Sequence, residues 1–137
     1  MWRQPRLMAA GHVAVAAPSY IGDRPVTCLG DLKGSRWVVD GMRSEERMWI
    51  AENGIDLNEE TVTQFPTSQF SREAALSGLG ITVLPAPIAD QLERDGKVIK
   101  LCEEENSDIA YHILTRPEIV SPTRDVFVKW LRAAASL

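Results

Sequence analysis

Short apolar, β-prone runs alternate with helical segments along most of this 137-residue chain. Strands are predicted at about residues 12–17, 37–39, 61–65, 81–84, 98–101 and 109–114. Helices are predicted at about residues 45–53 and 68–77, from Pro87 to Gly96, and from Pro122 towards the end of the chain. Strands and helices that alternate in this way pack most economically as an α/β sandwich with a mainly parallel sheet.

The composition excludes several classes of protein. With 45% hydrophobic and 25% charged residues, the chain has the composition of one globular domain and not of a disordered or fibrous protein. No stretch approaches the roughly 20 apolar residues of a membrane-spanning helix. The net charge is −4 and there is no run of lysine and arginine, so direct binding to nucleic acid is not expected.

The cysteines and histidines favour structural roles. Cys28 and Cys102 lie in unrelated segments without C-x-x-C spacing, so we predict two reduced, partly buried thiols and no disulfide. His12 and His112 each lie in an apolar run without a second ligand residue at metal spacing. We therefore predict two core histidines and no metal site.

No motif indicates a catalytic residue or a cofactor. The segment 75–79 lacks the first glycine of a G-x-S-x-G elbow, and there is no phosphate-binding loop of the G-x-x-x-x-G-K-[ST] type. Gly78 and Gly80 follow a predicted helix instead of opening one, so they are explained by a helix end and by tight packing. A small hydrolase with an unrecognised site stays an open alternative.

One junction has the features of a ligand-binding turn. Thr67, Ser68 and Gln69 join a strand to the first turn of a helix, where backbone N–H groups favour an anion or a ligand carboxylate. In open α/β sheets, ligands lie outside the carboxyl ends of the strands, which is where this turn falls. The alternative is that Thr67 and Ser68 only cap the helix.

The N-terminus has two interpretations. A basic start, an apolar stretch and Ala14-Val15-Ala16 resemble a secretory signal with its cleavage site. The run from Val13 to Ala17, followed by Pro18, is equally typical of a buried strand. Composition alone does not decide between the two.

Taken together and in order, several segments resemble the effector-binding domain of LysR-type transcriptional regulators. The segments are 13–21, 29–34, 71–85, 96–101 and 121–131. The resemblance implies a fold similar to periplasmic binding proteins of type II, with two lobes and a small effector bound between them. It also implies that the N-terminal run is a strand, so the protein is expected to be cytoplasmic and not exported.

The resemblance covers only part of such a regulator. It implies that residues 1–17 are an N-terminal segment and crossover strand left from lobe one, that residues 18–108 form effector-binding lobe two, and that residues 109–137 supply a return strand and the C-terminal helix of lobe one. The winged helix-turn-helix and the first part of lobe one are expected to be absent. DNA would then be contacted only through a module outside this chain.

The resemblance also implies a function and its partners. The chain is expected to be a non-enzymatic, ligand-sensing domain whose small effector, for example a carboxylate, contacts Ser68, with Thr67 and Gln69 beside it. The partner residue from lobe one has no counterpart, so weak effector affinity is expected. The alternative is a fragment of an exported solute-binding protein of a transport system.

Missing lobe-one elements would leave apolar surface uncovered. The last helix carries an apolar stripe that is predicted to pack on a sheet, made of Val126, Phe127, Trp130, Leu131 and Ala134. Because the sheet of lobe one would be incomplete, we expect either homo-oligomers or a partly disordered remnant of that lobe.

Overall fold

A computed structural model describes residues 5–40 and 44–136, which form two units. The larger unit is Gly11–Asn106, and the smaller unit combines Met1–Ala10 with Ser107–Leu137. The strands are β1 (Arg6–Ala9), β2 (His12–Ala16), β3 (Arg36–Asp40), β4 (Thr61–Phe65), β5 (Thr82–Pro85), β6 (Ile99–Glu103) and β7 (Ala110–His112). The α-helices are α1 (Pro18–Ile21), α2 (Ser44–Glu52), α3 (Ser68–Leu76), α4 (Ala86–Arg94) and α5 (Pro122–Ala135), with 3-10 turns at Leu29–Leu32 and Leu57–Glu59.

The larger unit contains a three-stranded sheet in the order β5, β2 and β6 and a two-stranded sheet made of β3 and β4. β3 and β4 are parallel, and a parallel bridge between Trp37 and Ile81 links β3 to the start of β5. β2 runs antiparallel to both of its neighbours, β5 and β6. The strand pairing in this unit is therefore mixed, and the prediction of a mainly parallel sheet was wrong for β2. An apolar run indicates burial on both faces of a strand but carries no information about its direction.

The direction of β2 brings its first residue to one particular edge of the sheet. His12 is paired with Pro85, the last residue of β5, and Asp40 at the end of β3 is paired with Phe65 at the end of β4. The N-terminus of β2 therefore lies at the edge where the other four strands end. The larger unit begins at Gly11 and includes β2, whereas the sequence analysis grouped this strand with the N-terminal segment.

Two apolar clusters cover the two faces of β2. Ala14 and Ala16 belong to a cluster built around Trp37 and Ile50, whereas Val13 and Val15 pack with Leu84, Ala89 and Val98. Both faces of β2 are thus buried, which explains why its sequence is apolar at successive positions and does not alternate.

Gly78 and Gly80 have the two roles that the sequence predicted. Gly78 follows the end of α3 with φ of +91°, a left-handed conformation that suits glycine at a helix end. A Cβ at Gly80 would lie 2.5 Å from the carbonyl oxygen of Arg36, so only glycine permits this close approach of β3.

The smaller unit contains one strand that the sequence analysis did not predict. β1 pairs antiparallel with β7, and the Ala10 N–H donates to the Ile109 carbonyl oxygen at 2.9 Å. The largely apolar stretch from Leu7 to Ala17 is divided at Gly11 between two different sheets. Alternation of residue types does not show where a chain leaves one sheet and enters another.

Most of the apolar stripe predicted on α5 is exposed. Val126, Phe127 and Trp130 are 71%, 56% and 61% exposed, so in this unit the stripe does not pack on a sheet. The less exposed row is Arg124, Val128, Leu131 and Ala135. This row also has helical spacing, and it begins with an arginine, so hydrophobicity favoured the other face.

The cysteines and histidines follow the predictions only in part. Both thiols are free, but Cys28 is exposed, which corrects the prediction that it is partly buried. Cys102 is partly buried, and this burial raises the pKa of its thiol to about 11. His12 is buried as predicted, whereas His112 is exposed on the short edge strand β7, so the prediction of a core histidine was wrong there.

Candidate functional site

The first turn of α3 presents backbone N–H groups and small polar side chains to solvent. Thr67 is the N-cap residue, and its Oγ1 accepts the Phe70 N–H at 3.3 Å. Thr67, Ser68 and Gln69 are all exposed. Because the first N–H groups of a helix have no partner within the helix, those of Ser68 and Gln69 remain available to an anion. Capping by Thr67 and ligand binding by its neighbours are therefore compatible.

The N-terminus of α3 lies directly after β4, at the edge where four strands end. β4 finishes at Phe65, and only Pro66 and Thr67 separate it from α3. The helix is anchored to the sheet by Ala75 and Ser71, which are 1% and 4% exposed. Ser71 Oγ also donates to the Ser68 carbonyl oxygen at 3.0 Å, which fixes the first turn. A rigid helix start at this edge has the position of a ligand site in an open α/β sheet.

Asp40 is a polar residue at the same edge that the sequence analysis missed. It is the last residue of β3, it is paired with Phe65 of β4, and it is only 5% exposed. Asp40 therefore places a largely buried carboxylate at the edge where α3 begins. The available signal was an aspartate that follows Trp37-Val38-Val39 directly.

A second polar group at this edge joins three separate segments. His12 Nδ1 and Glu104 Oε2 are 2.9 Å apart, and the His12 ring stacks on Trp49 of α2 with a centroid distance of 5.8 Å. The Glu104 N–H donates to the His12 carbonyl oxygen at 2.8 Å. His12 is 7% exposed, so this group braces the structure and does not offer a free imidazole. The sequence separation of 92 residues between His12 and Glu104 hid the pair from sequence analysis.

The part of the chain that the structure describes contains neither a cluster of metal-binding side chains nor a helix that could cross a membrane. Among residues 5–40 and 44–136, no cluster of three histidine, cysteine, aspartate or glutamate side chains is arranged to hold a metal ion. None of the helices described is both long and apolar enough to span a bilayer.

Comparison with known proteins identifies the family. The model of the LysR substrate binding domain matches residues 3–136. The chain belongs to this family. The LysR resemblance and the periplasmic-binding-protein-like α/β fold predicted from the sequence are thereby confirmed.

A curated relative matches most of this chain. The "AhcY transcriptional activator HvrB" of Rhodobacter capsulatus is 26% identical over 129 residues, which is 94% of this chain and 44% of that protein. The chain thus spans less than half the length of this curated relative.

Solved LysR domains share the fold. The AmpR effector binding domain from Citrobacter freundii is 18% identical with a TM-score of 0.72, covering 98% of this chain and 68% of that one. The regulatory domain of CrgA from Neisseria meningitidis is 20% identical with a TM-score of 0.75, covering 98% and 69%. An ancestral arginine-binding protein bound to arginine is 17% identical, with a lower TM-score of 0.58 and coverage of 96% and 55%.

Proposed function

We propose that this chain is the ligand-sensing regulatory part of a LysR-type transcriptional regulator. The observation that carries the proposal is the exposed first turn of α3, which lies at the edge where four strands end. The chain also belongs to a family of substrate-binding domains. HvrB is described as a transcriptional activator and the AmpR domain as effector-binding, which supports the same role here. The proposed role is non-enzymatic and cytoplasmic.

The exported solute-binding protein is the less favoured alternative. The matching family model is that of LysR regulators. The effector binding domain of AmpR and the regulatory domain of CrgA also give higher TM-scores than the arginine-binding protein.

The proposed lobe assignment follows the resemblance. Residues 18–108 would form effector-binding lobe two, and residues 1–17 and 109–137 would form what this chain contributes to lobe one. β2 would then be the crossover strand, and its pairing with β5 and β6 agrees with a strand that passes into lobe two. DNA would be contacted only through a module outside this chain.

The proposed effector carries a carboxylate. The N–H groups of Ser68 and Gln69 and the partial positive charge of the helix N-terminus favour a negative group at this position. Because ligand affinity depends on enclosure by two walls, we expect this single wall to bind weakly, with Kd of about 1 mM or higher.

Residue-resolved NMR titration of the chain with acetate, pyruvate and succinate tests this proposal. The expected result is a saturable shift of the Ser68, Gln69 and Phe70 amide signals in the millimolar range for at least one carboxylate. Kd below about 10 μM would contradict the half-site. Absence of shifts at these amides for all three probes would contradict the assignment of the site.

Homo-oligomer formation is the second part of the proposal. Phe127 and Trp130 are stacked at 5.8 Å and both are more than half exposed, together with Val126 on the same helix. Exposed apolar patches of this kind mark protein interfaces. A second copy of the chain is the proposed occupant.

Sedimentation equilibrium of the chain at about 100 μM should show dimers or larger species. The Phe127→Ser/Trp130→Ser variant should be shifted towards monomer, because burial of each aromatic side chain contributes about 2 kcal/mol to association. Phe70→Ser is the matched control, since Phe70 is 57% exposed but lies in the larger unit. A wild-type monomer, or equal dissociation in the control, would argue against this interface.

A further inference from the structure

A groove of about 460 Å³ lies within the smaller unit, at the end of the sheet where β1 begins and β7 finishes. Pro5, Ile113 and Pro117 line one side, and α5 lines the other. The volume falls within the roughly 300–1,000 Å³ that is typical of small-molecule sites. None of the lining residues belongs to α3 or to the larger unit, so the groove is distinct from the site at Thr67–Gln69.

The α5 side of this groove is basic. It carries Arg124, Lys129 and Arg132 and a single carboxylate, Asp125. Arg124 is held in place, because its Nε and Nη2 donate to Asp125 Oδ1 at 3.1 and 2.9 Å and its Nη1 donates to the Arg116 carbonyl oxygen at 3.0 Å. Asp125 is thereby neutralised. Within the described part of the chain, the side chains of Lys129 and Arg132 make no ion pair.

The positive charge of the smaller unit is unusual for this chain. The unit contains six basic and three acidic side chains, which gives it a net charge of +3, although the chain as a whole carries −4. A basic groove in an otherwise acidic protein concentrates anions at that position. Screening by salt would weaken this attraction, since Lys129 and Arg132 are exposed.

Apolar side chains also line the groove. Ile113 is buried and Val128 is half-buried, and both line the groove with the proline rings. A small inorganic anion would leave this apolar surface in contact with water. An organic anion would use both parts of the groove, since its carboxylate can pair with Arg132 while its body covers the apolar side chains.

We propose that this groove binds a small organic carboxylate with an apolar, ring-sized body. Its carboxylate pairs with Lys129 and Arg132, and its body packs against Ile113 and Val128. This second site is independent of the effector site at the start of α3, and it needs no contribution from the larger unit.

NMR titration of the whole chain with 3-phenylpropionate tests the proposal. We expect saturable shifts at Ile113, Val128, Lys129 and Arg132. The uncharged analogue 3-phenylpropionamide should bind at least about tenfold more weakly, because it lacks the charge that pairs with the two cations.

The Lys129→Gln/Arg132→Gln variant should also weaken 3-phenylpropionate binding at least about tenfold. The Lys33→Gln/Lys97→Gln variant removes the same charge from exposed positions of the larger unit and should leave the affinity unchanged. Both variants change exposed side chains, and an unchanged thermal melt verifies their folding. The second site would be overturned if 3-phenylpropionate and 3-phenylpropionamide bound with equal affinity, or if the shifts were confined to residues 68–70. It would also be overturned if the Lys129→Gln/Arg132→Gln variant bound 3-phenylpropionate as tightly as the unchanged chain.

Discussion

Gly80→Ala is expected to destabilise the larger unit by about 3 kcal/mol or more. The new Cβ would lie 2.5 Å from the Arg36 carbonyl oxygen, which is backbone and cannot rotate away. That oxygen accepts the Ile81 N–H at 2.8 Å, and the Val38 N–H donates to the Ile81 carbonyl oxygen at 2.8 Å. The substitution would therefore disturb the two hydrogen bonds that connect β3 with the start of β5.

Gly96→Ala is the matched control for this substitution. Gly96 has φ of +72° and no atom within 4 Å of the position that a Cβ would take, so alanine there costs only the left-handed conformation, about 1 kcal/mol. Urea unfolding followed by circular dichroism compares the two variants. If Gly80→Ala were no less stable than Gly96→Ala, the close approach of β3 to Gly80 would be contradicted.

His12→Leu is expected to cost about 2–3 kcal/mol, although leucine is apolar and the position is buried. The substitution removes the hydrogen bond between Nδ1 and the Glu104 carboxylate, a pair whose side chains are only 8% and 18% exposed. It also removes the ring that stacks on Trp49. A hydrogen bond to a charged, poorly solvated partner is among the stronger single interactions in a protein.

His112→Leu provides the comparison, because His112 is exposed on β7 and its replacement should change stability by no more than about 0.5 kcal/mol. The free energy of unfolding of both variants is measured at pH 7 in urea. Tryptophan fluorescence of the folded His12→Leu variant should also change, since Trp49 loses its stacked partner. Similar stabilities of the two variants would contradict a structural role for His12.

Local patterns were sufficient to predict most of the elements. β4 was predicted at Thr61–Phe65 because its residues alternate and turn residues flank them. The starts of α3 and α5 were predicted close to where they lie, and Thr67 and Ser121 each accept an N–H from the residue three positions further on. These signals are local, and they do not depend on which segments become neighbours.

Features that depend on distant contacts were not predictable in the same way. β1 was missed because the local sequence before Gly11 does not show that this segment forms a strand of a different sheet. The apolar stripe of α5 was visible from its spacing, but the extent to which each of its residues is covered depends on contacts that the spacing does not reveal.

The candidate site shows the same division between local and distant information. The turn at Thr67–Gln69 is visible from a strand followed by a helix cap. Asp40 reaches this edge only through the pairing of β3 with β4, and the His12–Glu104 pair only through the antiparallel direction of β2. The local pattern of a single strand does not reveal which strand it pairs with or in which direction.

Carboxylate titration of Ser68→Asp tests most directly whether the start of α3 is a ligand-binding surface. Aspartate in the first turn of a helix interacts favourably with the helix dipole, so α3 should stay folded while the added charge repels an anionic ligand. Asn58→Asp adds the same charge at an exposed position outside α3. Our account predicts that Ser68→Asp weakens carboxylate binding at residues 68–70 at least about tenfold and that Asn58→Asp does not. Unchanged binding by a folded Ser68→Asp variant would contradict it.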